Sequence, residues 1–290
     1  MSRGPLRIVV EQTAPRRLEV AANAEVMALA ATRAATEGVD VVVFPELGLT
    51  GYDLGRWARE LALVPTAGPP LALPPEGPVI VLGHPERASD DRVFNVASAW
   101  RGERLLHRHR KAYLPTYGMF DEGRVFAPSP DGPRVFEIAP DWKAALLVCE
   151  ELWHPALPYL AGLQAADLLV VIAAGAGRGV GEAPSGGRFA SAEAWTLLAR
   201  STALTHGLYV ALANRAGSEG GVTFSGESLI VAPDGSVLAK GRADGDDRLS
   251  AELDPAELAR VRDGFHHLRD EDPRLLLGEL ERLLGGSAEE

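Results

Sequence analysis

The sequence predicts an α/β fold, a mixed sheet with helices packed outside it. Three observations lead there. Strand-like and helix-like apolar patterns alternate along the whole chain. The first of them form a β-α-β unit, and such crossovers join parallel strands. Several strand candidates are near-continuous runs of Val, Ile and Leu, as in strands buried on both faces.

Leu6-Arg7-Ile8-Val9-Val10 opens the chain as a strand. Val20, Ala24, Met27, Ala31 and Ala34 then recur at helical spacing on one face, and Gly38 stands where a left-handed residue ends a helix. Val39 to Phe44 is the second strand and Val79 to Gly83 the third. Phe94 to Trp100 and Arg104 to His109, joined at Arg101-Gly102-Glu103, form a hairpin. Lys143 to Val148 is a buried strand, with a helix near Ala156 to Ala165 and a strand at Leu168 to Ala173. Ser191 to His206 reads as a helix with Ser191 as N-cap and Gly207 as stop. Leu208 to Ala213, Glu227 to Val231 and Ser236 to Lys240 are strands, the last two turning through Pro233-Asp234-Gly235. Beyond residue 254 the chain is helical and charged, and Gly285 to Glu290 reads as a frayed tail. Two Pro/Gly-rich loops, Pro65 to Pro78 and Gly175 to Gly187, are expected as rims around a site.

Composition narrows the function. The 290 residues carry 29 Lys+Arg against 40 Asp+Glu, a formal net charge of −11. That balance argues against a nucleic-acid-binding surface, with the local run His107-Arg108-His109-Arg110-Lys111 as the exception. No stretch approaches the ~18 apolar residues of a membrane span. No secretory leader is expected at the N-terminus, so a cytoplasmic location is. The single cysteine excludes an intramolecular disulfide framework and a Cys-rich zinc site, suits a reducing compartment, and makes Cys149 the only candidate thiol.

Cys149 directly follows a strand, where active sites of open α/β sheets lie. As a free cysteine it also fits a small buried hydrophobe. Glu46 follows the strand stopped by Pro45 and reaches the same sheet edge, desolvated and suited to accept a thiol proton. Its plainer role is to cap the Leu49-Thr50-Gly51 turn. Lys111 offers a fixed positive charge beside a reacting carbonyl, or belongs to a solvated basic run. Glu122 lies among aromatics in Phe120-Asp121-Glu122-Gly123-Arg124-Val125-Phe126, where a surface turn is the ordinary reading.

Together these segments resemble the nitrilase superfamily of carbon–nitrogen hydrolases. The resemblance rests on Phe44-Pro45-Glu46 with Leu49-Thr50-Gly51-Tyr52, and on Lys111-x-x-Leu114-Pro115 with Phe120-x-Glu122 and Phe126. It rests equally on Leu147-Val148-Cys149-Glu150, Asn214-Arg215-x-Gly217 and Phe224-x-Gly226-x-Ser228. It implies a four-layer α-β-β-α sandwich in a single domain, with the hydrolase domain over residues 1–260 and a helical extension and tail over 261–290. It implies a homodimer or larger homo-oligomer. It makes Glu46 the general base, Lys111 the cationic stabiliser, Cys149 the nucleophile and Glu122 a supporting glutamate. The backbone N–H of Glu150 would join Lys111 at the oxyanion. No metal or organic cofactor is implied.

Within the superfamily, Cys149-Glu150-Glu151-Leu152-Trp153 and Tyr117-Gly118-Met119-Phe120-Asp121-Glu122 resemble the glutaminase domain of glutamine-dependent NAD synthetases. No synthetase half is expected in this chain. Glu150-Glu151 stands where nitrile hydrolysers usually carry Trp-Glu, which favours an amide substrate. Ser185-Gly186-Gly187 begins like an ATP-pyrophosphatase loop, but Arg188-Phe189-Ala190 does not complete it. Tyr52, Tyr117, Trp153 and His154 flank the catalytic positions as candidate pocket residues, and Arg178 or Arg188 is a candidate for a substrate carboxylate. His266-His267 reads as surface rather than as a metal site. The leading expectation is a thiol amidohydrolase acting on a small linear amide and releasing ammonia. The alternatives are a glutaminase subunit feeding a separate synthetase, a carbamoyl-amine hydrolase and a non-catalytic binding relative.

Overall fold

The computed structural model describes residues 3–65, 68–177 and 190–285. The strands are β1 (Leu6–Gln12), β2 (Val41–Val43), β3 (Val79–Arg87), β4 (Val93–Arg101), β5 (Arg104–Arg110), β6 (Phe136–Ala139) and β7 (Trp142–Val148). They continue with β8 (Leu168–Ala173), β9 (Tyr209–Asn214), β10 (Ser218–Glu219), β11 (Val222–Thr223), β12 (Leu229–Val231), β13 (Val237–Lys240) and β14 (Asp247–Leu253). The helices are α1 (Val20–Thr36), α2 (Ala58–Leu61), α3 (Ala156–Leu163), α4 (Ala190–His206), α5 (Pro255–Gly264) and α6 (Pro273–Gly285).

Two six-stranded sheets result, ordered β14-β1-β2-β3-β4-β5 and β13-β12-β9-β8-β7-β6. Each is built on three parallel strands, β1-β2-β3 in one and β7-β8-β9 in the other. The apolar runs divide between two cores by the two-residue period of a strand. Leu6, Ile8, Val10, Val41, Val43, Val79 and Val81 face the second sheet, in one cluster with Leu146, Val148, Val170 and Leu212. The alternating Val9, Val42, Phe44, Ile80 and Leu82 pack with Met27, Ala31 and Ala34 of α1. Trp195, Ala199 and Ala203 of α4 pack in the cluster of the second sheet. The layers are therefore helix, sheet, sheet, helix, as the resemblance implies.

Several expectations change in detail. β3 runs on past Gly83 because its next polar residues are buried and paired. His84 Nε2 lies 2.9 Å from Ser98 Oγ, and Glu86 accepts from Arg108 and Arg110. β6 and β14 were not read from the sequence. β14 pairs antiparallel with β1 at the sheet edge, burying Leu249 and Leu253, with Arg248 paired to Glu11 and Glu37. Ser191 lies inside α4 rather than capping it, and its hydroxyl donates to the Ala176 carbonyl. Of the loop expected over Pro65 to Pro78, none of the described residues lines the cavity described below. Its Leu71 packs with Val42, Ile80 and Trp100 on the helix-covered face of the first sheet. Arg178, Arg188, Ser185-Gly186-Gly187, nearly all of the loop ending at Gly187 and most of the tail lie outside the described residues.

No described helix is long and apolar enough to cross a membrane. The basic run is not an open cationic face. His107 stacks on Phe136 with ring centres 4.5 Å apart, Arg108 and Arg110 both bond Glu86, and His109 bonds Glu151.

Gly83 shows how closely β3 approaches the loop that carries Glu46. A Cβ there would stand 2.4 Å from the Leu47 nitrogen and 2.8 Å from the Pro45 oxygen, both backbone atoms. Gly83→Ala is expected to cost about 1–3 kcal/mol, as overpacking does, read as a lowered midpoint in chemical denaturation. An unchanged midpoint would show that the loop yields freely.

Candidate active site

Glu46 lies just beyond β2, where the Phe44 N–H still bonds the Val81 carbonyl before Pro45 ends the ladder. Lys111 lies just beyond β5, its N–H held by the Asn95 carbonyl at 2.8 Å. Cys149 follows β7 and opens a short 3₁₀ turn, Cys149–Trp153. Its φ of +49° is in the left-handed region that a non-glycine residue enters only under constraint. The two sheets thus bring three chemically distinct side chains to one edge of the sandwich.

Lys111 Nζ donates to Glu46 Oε1 at 2.7 Å and to Glu122 Oε1 at 2.8 Å. Asn95 Nδ2 also donates to Glu46 Oε1, at 2.7 Å, and Tyr52 Oη donates to Glu122 Oε1 at 2.5 Å. Glu46 and Lys111 are fully buried, and Cys149 and Glu122 nearly so. Both donors to Glu46 use the same oxygen. Its Oε2 is buried without a partner among the described residues. A buried carboxylate oxygen left bare is costly, and such an atom marks a place for a proton, a substrate or a water.

The charges respond to this packing. Burial alone would push the Lys111 ammonium down, but the carboxylates of Glu122 and Glu46 outweigh it and hold it well above its ordinary range. Burial pushes the Glu122 carboxyl up to about 7, against the pull of Lys111 and with the repulsion of Glu46. Burial, then the Glu46 carboxylate, pushes the Cys149 thiol well up, while Lys111 and the Ala174 backbone act the other way. At rest Cys149 is therefore a protonated thiol.

The cluster is braced by the segment that follows β9. Arg215, buried, donates to Glu219 Oε2 at 2.9 Å, and its guanidinium lies 4.1 Å over the Phe224 ring. Glu219 Oε1 accepts from the Tyr52 N–H at 2.9 Å and the Asp53 N–H at 2.5 Å. These bonds fix the loop whose Tyr52 holds Glu122. A cavity of about 390 Å³ adjoins the cluster through Glu122, with Tyr52, Met119, Phe126, Glu219 and Phe224 in its wall.

The structure thus joins Glu46, Lys111, Glu122 and Tyr52 by direct hydrogen bonds and places Cys149 under the charges of the first three. Tyr117, Trp153 and His154 are not among the described residues lining the cavity. Tyr117 donates to Glu150 Oε2, His154 stacks on Tyr113 and Trp153 packs edge-on against Trp195. Asn95, Glu219 and Glu151 were missed. Among the described residues, no group of three or more His, Cys, Asp and Glu is arranged to hold a metal ion.

A model of the carbon–nitrogen hydrolase family matches residues 7–263. The chain belongs to the carbon–nitrogen hydrolase family. Among curated proteins it is 33% identical over 201 residues to a glutamine-dependent NAD(+) synthetase of Xanthomonas campestris, a match covering 68% of this chain and 34% of that protein. It is 29% identical to a Pseudomonas protegens protein named as a hydrolase in the pqqF 5′ region, covering 81% of this chain and 78% of the other. Among solved structures, an amidase of the nitrilase superfamily from Nesterenkonia AN1 superposes with a TM-score of 0.73 at 23% identity, covering 96% and 98% of the two chains. The glutamine-dependent NAD+ synthetase of Acinetobacter baumannii gives 0.74 at 20% identity, covering 88% of this carbon–nitrogen hydrolase and 46% of the synthetase. These superpositions establish the nitrilase-type fold.

The raised Glu122 carboxyl has a measurable consequence. Between its ordinary value of 4.5 and about 7 the folded chain keeps a proton that the unfolded chain has released. Stability from this group is complete below 4.5 and is lost as pH rises through about 7. Glu122→Gln removes the slope. In denaturation series the variant's stability relative to the native protein should rise steadily over that range, and a constant difference would contradict the assignment.

Proposed function

We propose that this carbon–nitrogen hydrolase is a thiol amidohydrolase that cleaves a small linear amide and releases ammonia. The reading is carried by the buried Lys111 held between two carboxylates, each keeping one oxygen without a partner among the described residues, next to a thiol that burial keeps protonated. Such a thiol is a poor nucleophile until a neighbouring base removes its proton. Glu46 is that base. The proton passes from Sγ to the carboxylate as sulfur attacks the amide carbonyl. The resulting oxyanion is stabilised by the Lys111 ammonium and the Glu150 backbone N–H, at the start of a turn whose first N–H groups have no partner within it. Glu46 returns the proton to the leaving nitrogen. The C–N bond breaks, ammonia departs and a thioester remains on Cys149. Water then attacks, Glu46 taking its proton, and the carboxylic acid product leaves with the thiol restored. Glu122 and Tyr52 hold Lys111 and the amide nitrogen in place.

Glutamine and other ω-amides lead the substrate classes, ahead of carbamoyl amines. The family resemblance and the single cysteine go with a cytoplasmic homo-oligomer, and with catalysis contained in residues 1–260. A second reading draws on the NAD synthetase relatives: the chain hydrolyses glutamine and delivers ammonia to a separate synthetase. Its mark would be slow glutamine hydrolysis that accelerates when that partner is added.

The test is ammonia release from glutamine, ω-amides of dicarboxylic acids, carbamoyl amines and simple nitriles. One amide class should be turned over, with turnover abolished in Cys149→Ala and Cys149→Ser while circular dichroism stays native. Activity surviving in either variant would rule out the thiol mechanism. Glu46→Gln should lower kcat by about 10²–10⁴-fold, the range of a lost general base.

A further inference from the structure

Lys111 stands on the first sheet and Cys149 on the second, so something must set the distance between them. Glu151 spans the gap. Its Oε1 accepts the backbone N–H of Ala112, the residue after Lys111, at 2.8 Å. Its Oε2 accepts the backbone N–H of Val148, the residue before Cys149, at 2.7 Å. The same oxygen lies 2.7 Å from Nε2 of His109, two residues before Lys111 on β5. Glu151 and His109 are both buried. Each of these partners flanks one of the two catalytic positions, and none is a reacting atom.

We propose that Glu151 is a positioning residue that fixes the Cys149 sulfur against the Lys111 ammonium by gripping the backbone on both sides of the sheet interface, with His109 as its third hold. The inference rests on the thiol mechanism proposed above for Cys149. One carboxylate with two oxygens at fixed separation sets the relative position of two strand ends more tightly than packing alone. It also accounts for the left-handed Cys149, whose preceding N–H is turned to Glu151 Oε2. Misplacement of reacting groups by about 1 Å costs on the order of 100-fold in rate.

Two substitutions separate reach from charge. Glu151→Asp keeps the charge and shortens the arm, so it cannot hold Ala112 and Val148 together. Glu151→Gln keeps the length but sets an amide NH₂ against backbone donors. Both should lower kcat by about 100-fold, with KM within about twofold. Alkylation of Cys149 by iodoacetamide, free of background because the chain has one cysteine, should slow in both across the pH range. His109→Gln leaves Glu151 in place and should give a smaller loss of the same kind, and it carries the test if the Glu151 variants fail to fold. Native kcat in Glu151→Asp, or losses expressed in KM with unchanged alkylation, would overturn the proposal. Faster alkylation in Glu151→Gln would assign the residue an electrostatic role instead. The alkylation readout needs no substrate, so it stands even if the native enzyme turns over none of the amides tested.

Discussion

A buried ammonium between two buried carboxylates governs this structure. Lys111, Glu46 and Glu122 carry three ionisable groups into the space between two sheets, where desolvation opposes every charge. Such a cluster persists only if its members are held at hydrogen-bond distance. Asn95 and Tyr52 each add a donor to the carboxylate oxygen that Lys111 already holds, and each comes from a different element. The position of the surrounding loops follows from the need to satisfy this group.

The fold meets that need by layering. The three parallel strands of each sheet end at the same edge of the sandwich, and the side chains just beyond β2, β5 and β7 face one another there. The braces are long-range. Arg215, just beyond β9, and Glu219 of β10 restrain the Tyr52 loop, while Glu151 and His109 tie the Cys149 turn to the Lys111 strand. These bonds stiffen a cluster in which Cys149 has a left-handed backbone and Glu46 keeps a buried oxygen without a partner among the described residues. The proposed mechanism uses that oxygen to take the thiol proton.

Much of this was legible in the sequence. The near-continuous apolar run from Val39 to Phe44 foretold a strand buried on both faces, and its residues fill both cores. Glu46, Lys111, Cys149 and Glu122 stood out because each ends a strand or sits among aromatics in a recognisable motif. The hidden parts depend on partners distant in the chain. Asn95 meets Glu46 across 49 positions, and Glu219 meets Tyr52 across 167. Nothing local distinguishes such residues from surface polar groups. β14 was hidden for a related reason: only its pairing with β1, distant in the chain, makes it a strand. Pro and Gly content marked the loop at residues 65–78 as irregular but could not say which face of the sheet it covers.

The most direct test of the account is peptide mass mapping of the enzyme after rapid acid quench during turnover of its preferred amide. The account predicts one acyl group, of the mass of the substrate's acid portion, on the peptide containing Cys149. Turnover without any acyl adduct on that peptide, or an adduct on another residue, would contradict it.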